Sequence, residues 1–126
     1  MGLLDGKKGF IFGVADDCSL AWGVGQQCHA QGAQLGFNHL PNPKMEVFAA
    51  VRSAWGSLDF VLHAIAYATR ESLSAPFYQT TRADFLQAME ISAYSLVSVA
   101  RHALPHMREG GSILTLSYLG AAKVFS

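Results

Sequence analysis

The sequence has little net charge, few cysteines and no long apolar run, and each shortage excludes a class of protein. Nine basic and nine acidic residues leave a formal net charge of zero over 126 residues, so no basic surface exists to gather nucleic acid or anionic lipid. Two cysteines, Cys18 and Cys28, are too few for a disulfide framework and are not spaced as a C-x-x-C pair, so we expect free thiols. No apolar run approaches the roughly 20 residues that cross a bilayer. We therefore expect a soluble, cytoplasmic protein that binds neither nucleic acid nor a membrane.

The sequence also lacks the glycine-rich fingerprint that is typical of a dinucleotide-binding turn. The stretch GVADDCSLAWGVG (13–25) follows the apolar run GFIF, but Gly13 is the only glycine at the turn itself. Its small size and a Ser19 hydroxyl placed to cap the next helix still suit phosphates. Asp16 and Asp17 suit them only if both carboxylates point to solvent. From the residues alone, an ordinary solvent-facing turn stays open as the alternative to a phosphate loop.

Short apolar segments alternate with segments of helical periodicity along the chain. We predict strands at 7–14, 34–39, 58–66 and 110–118, helices at 19–33, 45–55 and from about 81 to 107, and a loop at 67–80. Pro105 should kink or end the last helix. This alternation predicts one domain over residues 1–126, with a three-layer, Rossmann-like α/β fold. About four strands would form an incomplete doubly wound parallel sheet, with ligands at the carboxyl ends of the strands.

Several polar residues have ordinary structural interpretations. His102 and His106 are four residues apart on the long helix, but Pro105 distorts that turn and no third ligand is evident, so no metal site is expected. His63 lies within an apolar strand and is interpreted as a core histidine with one hydrogen bond. Asp59 is expected to cap the turn before that strand.

Five motifs, in this order, resemble the enoyl-acyl-carrier-protein reductases, which are NADH-dependent members of the short-chain dehydrogenase/reductase superfamily. They are GVADDCSLAWG, AQGAQL, LDFVLHAIAYA, ISAYSL and GGSILTLSYLGAAKV. In that family a longer loop replaces the usual glycine fingerprint. The resemblance implies NADH-dependent reduction of the 2,3 double bond of enoyl-acyl-carrier-protein thioesters in fatty-acid biosynthesis. It also implies NADH/NAD as the cofactor, an acyl-carrier-protein-linked enoyl substrate as the partner and a homotetramer for full-length members.

The resemblance implies a site at the tips of three strands. Tyr118 would be the catalytic residue, donating a hydrogen bond to the enolate oxygen, whereas without the surrounding motif it would be interpreted as a solvated rim tyrosine. Ala68 would meet the acyl substrate. The residues expected to hold the cofactor are Gly13, Val14, Ala15, Ser19, Leu20, Ala64, Ile65 and Ala66.

The chain also departs from the family pattern. The family's second active-site tyrosine and its lysine would lie just beyond Ser126, and the family has a further helix and edge strand between Leu40 and Met45. Leu40 itself stands where the family commonly has Gln. We therefore expect an N-terminal portion of such a reductase, truncated and internally shortened, and marginally stable as a free polypeptide. A non-catalytic nucleotide-binding remnant stays open as the alternative. A ketone reductase of the same superfamily is disfavoured, because its G-x-x-x-G-x-G and Asn-Ala-Gly motifs are absent.

Overall fold

The centre of the molecule is a four-stranded parallel sheet. The structure, a computed structural model, describes residues 1–38 and 45–124, so the predictions about Leu40 and Ser126 lie outside the described residues. The strands are β1 (Lys8–Phe12), β2 (Gln34–Asn38), β3 (Phe60–His63) and β4 (Ser112–Thr115), in the spatial order β2-β1-β3-β4. Their last residues are register partners, so all four strands end at one carboxyl edge. The predicted doubly wound α/β sheet is confirmed.

Helices cover both faces of this sheet. They are α1 (Leu20–Ala30), α2 (Met45–Trp55), α3 (Arg70–Ser74), α4 (Arg82–Met89) and α5 (Ser95–Ala103). The side chains of β1 and β3 alternate between the two faces, which gives a core on each side. One core joins α2 and α5 to the sheet and contains Phe10, Phe12, Phe48, Val51, Leu58, Val61, Ile65, Val99, Ala103 and Met107. The other is smaller and consists of Ile11, Ala21 and Leu62 beneath α1.

The long helix predicted at 81–107 is present but is not a uniform α-helix. A π turn at Glu90–Tyr94 joins α4 to α5. The helix then ends in a 3₁₀ turn at Leu104–His106, which contains Pro105. The segment 67–80, predicted as a loop, contains α3 and a 3₁₀ turn at Phe77–Gln79, so that prediction was wrong in part. Thr69 starts α3 by accepting a hydrogen bond from the backbone N–H of Ser72.

Asp59 joins two strands, and the expectation that it caps the preceding turn was wrong. Its Oδ2 accepts a hydrogen bond from the backbone N–H of Lys8 at 2.8 Å, and its Oδ1 lies 3.5 Å from Nζ of Lys7. Since β1 and β3 are neighbours, this carboxylate holds the amino ends of the two strands together.

The α1 face of the sheet is uncovered over β4. Leu114, the register partner of Leu62, leaves 53% of its surface exposed, and Leu116 leaves 45% exposed.

Both cysteines are free, as predicted, and partial burial raises the pKa of the Cys28 thiol. None of the helices in the described part of the chain is both long and apolar enough to cross a membrane.

Candidate functional site

The strand order reverses between β1 and β3, which makes the carboxyl edge between them a topological switch point. The chain leaves β1 towards β2 through α1 on one face and leaves β3 towards β4 through α4 and α5 on the other. In open α/β sheets such a switch point is where ligands bind. The three segments that follow β1, β3 and β4 carry every residue that the sequence predicted for the site.

Gly13 is fixed at this switch point by its backbone and by lack of space. Its φ is +91°, and a β-carbon added there would lie 2.2 Å from the carbonyl oxygen of Ala64. Its N–H donates to the Asn38 carbonyl at 2.8 Å, while the N–H of Ala64 donates to the Phe12 carbonyl at 3.0 Å. The tips of β1 and β3 therefore meet backbone to backbone, which only glycine allows at position 13.

The first helix begins with a capped, uncompensated N-terminus. Ser19 Oγ accepts from the N–H of Trp22 at 3.2 Å and donates to the carbonyl of Asp16 at 2.8 Å. The first turn of α1 carries no acidic residue. Asp16 and Asp17 are exposed, and Oδ1 of Asp16 accepts from the backbone N–H of Cys18 at 3.0 Å. The first turn of α1 therefore carries no carboxylate that would compensate the positive end of the helix dipole, although Asp16 and Asp17 lie in the loop just before it.

The other residues predicted to hold the cofactor lie beside these two features. Leu20 starts α1 and is 79% exposed, and Val14 packs against the core beneath that helix. Ile65 is only 7% exposed because its side chain belongs to the larger core, so it can offer a ligand only its backbone. Ala15 and Ala66 are exposed, while Ala64 and Ala68 are half-buried.

Tyr118 lies on the loop after β4. Its side chain is 74% exposed, and a β-carbon added to Gly120 would lie 2.4 Å from its ring, so the ring rests directly on that glycine. The N–H of Leu116 donates to the His63 carbonyl at 3.2 Å and extends the β3–β4 pairing towards this loop. The structure brings Gly13 and Ala64 into contact and places Tyr118 on a separate segment of the same edge.

A hydroxyl network that the sequence did not predict lies just beneath the tip of β3. His63 Nδ1 is 2.9 Å from Thr115 Oγ1, and its Nε2 is 2.7 Å from Ser95 Oγ. Ser95 Oγ donates to the Ile91 carbonyl at 2.6 Å, so it accepts from the imidazole Nε2–H, which leaves Nδ1 to accept from Thr115. A neutral imidazole satisfies both bonds. The prediction of one hydrogen bond for His63 was therefore wrong, because there are two.

The fold should become less stable as the pH is lowered, because His63 is buried as a neutral imidazole. Burial lowers the pKa of His63 from its ordinary value of 6.5 more than a backbone hydrogen bond raises it. Below pH 6.5 the imidazole of the unfolded chain is protonated while that of the folded chain stays neutral. Stability is therefore constant above pH 6.5 and falls as the pH decreases from 6.5 to the lower pKa of the folded state. Urea unfolding across a pH series should show this slope in wild type and a shallower slope in His63→Gln. Thr115→Val, which keeps the imidazole, should retain the slope, and equal slopes in wild type and His63→Gln would contradict the assignment.

His102 and His106 have a packing role. Their rings stack on that of Phe48, with centroid distances of 6.0 and 6.1 Å, and Nδ1 of His102 lies 2.7 Å from the Ser98 carbonyl. Contact with one buried phenylalanine accounts for their four-residue spacing.

One cavity lies away from the candidate site. It measures about 490 Å³ and opens at the amino ends of β1, β3 and β4. Its lining includes Lys7, Cys28, Asp59, Phe60, Glu109 and Leu114, and it contains none of the residues predicted for the site.

Known proteins resemble this chain over most of its length. The family model described as enoyl-(acyl carrier protein) reductase matches residues 44–126. An NADH enoyl-[acyl-carrier-protein] reductase from a Nostoc species is 39% identical over 150 aligned residues, covering 95% of this chain and 58% of that protein. That alignment is longer than the 126-residue chain, so the relative contains residues with no counterpart here.

Solved structures give the same result. The reductase of Anaplasma phagocytophilum in complex with NAD superposes with a TM-score of 0.91 at 39% identity, covering 98% of this chain and 57% of that one. The Bacillus cereus reductase, solved with NADP⁺ and an indole naphthyridinone, gives a TM-score of 0.90 at 35% identity, covering 99% and 60%. The chain thus spans a little over half the length of the relatives that it matches.

Proposed function

This chain belongs to the enoyl-(acyl carrier protein) reductase family, and from that premise we propose that it supplies the dinucleotide-binding part of an NADH-dependent reductase. The reaction is reduction of the 2,3 double bond of enoyl thioesters carried on acyl carrier protein, in fatty-acid biosynthesis. Residues 1–126 form one partial NAD-binding domain in this proposal, acting in the cytoplasm, and a full-length chain assembles as a homotetramer. The observation that carries the proposal is the backbone contact of Gly13 with Ala64 beside the open N-terminus of α1.

The residues after β1 fit the pyrophosphate of NADH. The N-terminus of α1 attracts an anion, and Ser19 caps it without blocking the first turn with a carboxylate. The N–H groups of Gly13 and Val14 donate to the Asn38 carbonyl, so Gly13, Val14 and Ala15 contribute little side-chain bulk rather than free donors, and Leu20 follows the cap. The backbone at Ala64, Ile65 and Ala66 would lie along the nicotinamide ribose. The Ile65 side chain is packed in the core, so this residue would contact the ribose through its backbone.

Tyr118 acts on the substrate in this proposal. NADH, when bound, supplies the hydride that reduces the β-carbon of the enoyl thioester. Negative charge then develops on the thioester oxygen, and the phenol of Tyr118 donates a hydrogen bond to it. Tyr118 lies on the loop that leaves the carboxyl end of β4, and the residue is 74% exposed. The acyl chain meets the backbone at Ala68.

Tyr118→Phe should lower the turnover number and leave substrate affinity almost unchanged. The variant removes a donor that the proposed mechanism uses most strongly in the transition state, and loss of one such donor costs roughly 100-fold in rate. The assay follows NADH oxidation with a crotonyl thioester, using the longest natural polypeptide that carries this sequence. Tyr78→Phe is the matched control, because Tyr78 is also exposed but belongs to the 3₁₀ turn at Phe77–Gln79.

The same assay separates this proposal from the alternative of a non-catalytic remnant. Equal rates for wild type and Tyr118→Phe would contradict the role of Tyr118. A natural polypeptide that binds NADH in calorimetric titration but never oxidises it would support the alternative of a non-catalytic nucleotide-binding remnant. A product that neither binds nor oxidises NADH would contradict both functions.

A further inference from the structure

The π turn at Glu90–Tyr94 interrupts the long helix opposite the tip of β3. A π turn inserts one extra residue into a helix, is rare, and is frequent at functional sites. The sequence here is EISAY, followed by Ser95 at the start of α5. Both serines of this stretch turn their hydroxyls towards the segment that runs out of β3: Ser95 bonds to His63 and Ser92 bonds to Tyr67.

Ser92 makes two bonds to the backbone of a single residue. Its Oγ accepts from the N–H of Tyr67 at 2.9 Å and donates to the carbonyl of Tyr67 at 3.0 Å. Tyr67 lies outside the strands and helices, so the β-ladder does not hold its peptide groups. One hydroxyl thus takes the place of a neighbouring strand and fixes both sides of this residue.

The two serines hold a short segment at its start and near its middle. Ser95 acts on His63, the last residue of β3, and within the described residues the pairing of β3 with β1 continues only as far as the N–H of Ala64. Beyond Ala64 the chain runs free of the sheet until Thr69 caps α3. Ser92 is bonded to this stretch near its middle, between Ala66 and Ala68.

We propose that Ser92 is a positioning residue, which the π turn presents so that it clamps the Tyr67 backbone and fixes the path of residues 64–68. The proposal rests on the proposed function, in which this segment lies along the nicotinamide ribose and the acyl chain. A clamp of this kind pre-organises a ligand-binding loop, which lowers the entropy lost when the ligand binds. Ser92 touches neither cofactor nor substrate and acts through the loop.

The experiment compares three variants by amide hydrogen exchange and by titration with NADH. Ser92→Ala removes the clamp, Ser92→Thr retains a hydroxyl, and Ser98→Ala removes a hydroxyl further along the same helix. In Ser92→Ala the Tyr67 amide loses its hydrogen bond and should exchange about tenfold faster or more. The urea midpoint should stay unchanged, because this hydrogen bond is exposed to water. The dissociation constant for NADH should rise about tenfold in Ser92→Ala alone.

The two readouts separate the clamp from the function. Unchanged exchange at Tyr67 in Ser92→Ala would overturn the clamp, and faster exchange with wild-type NADH affinity would overturn its positioning role. Failure of Ser92→Thr to restore slow exchange would also count against the hydroxyl. A wild-type chain that does not bind NADH counts against the proposed function instead, and the exchange data still decide whether Ser92 fixes the loop.

Discussion

Gly13→Ala is expected to destabilise the fold by about 2–5 kcal/mol. Two costs combine at this position: a φ of +91°, which disfavours any residue with a β-carbon, and a β-carbon only 2.2 Å from the Ala64 carbonyl oxygen. That oxygen belongs to the backbone, and moving it would strain the bond from the Ala64 N–H to the Phe12 carbonyl. The urea midpoint should fall, and NADH affinity should fall with it, because the β1 and β3 tips would separate.

Gly23→Ala is the matched control for this prediction. Gly23 lies within α1, has a negative φ, and an added β-carbon would meet open space. Alanine should therefore stabilise the helix by about 0.5–1 kcal/mol. If Gly13→Ala were as stable as wild type, the two strand tips would have to lie further apart than the structure places them.

The order of strands and helices was predictable because each strand is a short apolar run between polar turns. The ends of the strands were less so: residues 58–66 were predicted as a strand, but β3 is Phe60–His63. The apolar pattern continues past the hydrogen-bonded ladder, because Ile65 remains buried in the core after the chain has left the sheet. Apolar sequence reports burial, whereas a strand end depends on where its neighbours stop.

The π turn could not have been predicted for a related reason. Helical periodicity predicted one helix over 81–107, and a single extra residue barely alters that pattern. The turn is where Ser92 and Ser95 meet polar groups on a distant segment, with His63 and Ser95 separated by 32 positions in sequence. The same distance hid the second hydrogen bond of His63, whose Thr115 partner is 52 positions away.

The sequence predicted which strand ends carry the candidate residues, but not the contacts that hold those residues in place. Gly13 was selected because a phosphate loop needs a small residue, and the structure supplies an independent requirement in its contact with Ala64. Ser19 was expected to cap the first helix, and it does. The contacts of these residues and of Tyr118 with cofactor and substrate stay predictions, since they depend on bound molecules rather than on the fold.

Phe12→Ala is expected to cost about 3–5 kcal/mol, a large part of the roughly 5–15 kcal/mol that stabilises a typical domain. The side chain is 0% exposed, and its ring centroid lies 4.9 Å from that of Phe10 and 5.7 Å from that of Phe48. Truncation would leave a cavity between β1 and α2, directly before Gly13. We therefore expect a lower urea midpoint and, in near-ultraviolet circular dichroism, loss of the fixed aromatic signal.

The matched control is Phe77→Ala, which removes the same side chain from the surface. Phe77 is 85% exposed in a 3₁₀ turn, so its truncation should change stability by no more than about 0.5 kcal/mol. The difference between the two variants measures what the aromatic core beneath the Gly13 turn contributes. Equal losses for Phe12 and Phe77 would mean that β1 is not the buried centre of the sheet, and the switch point that the proposed function needs would lose its structural support.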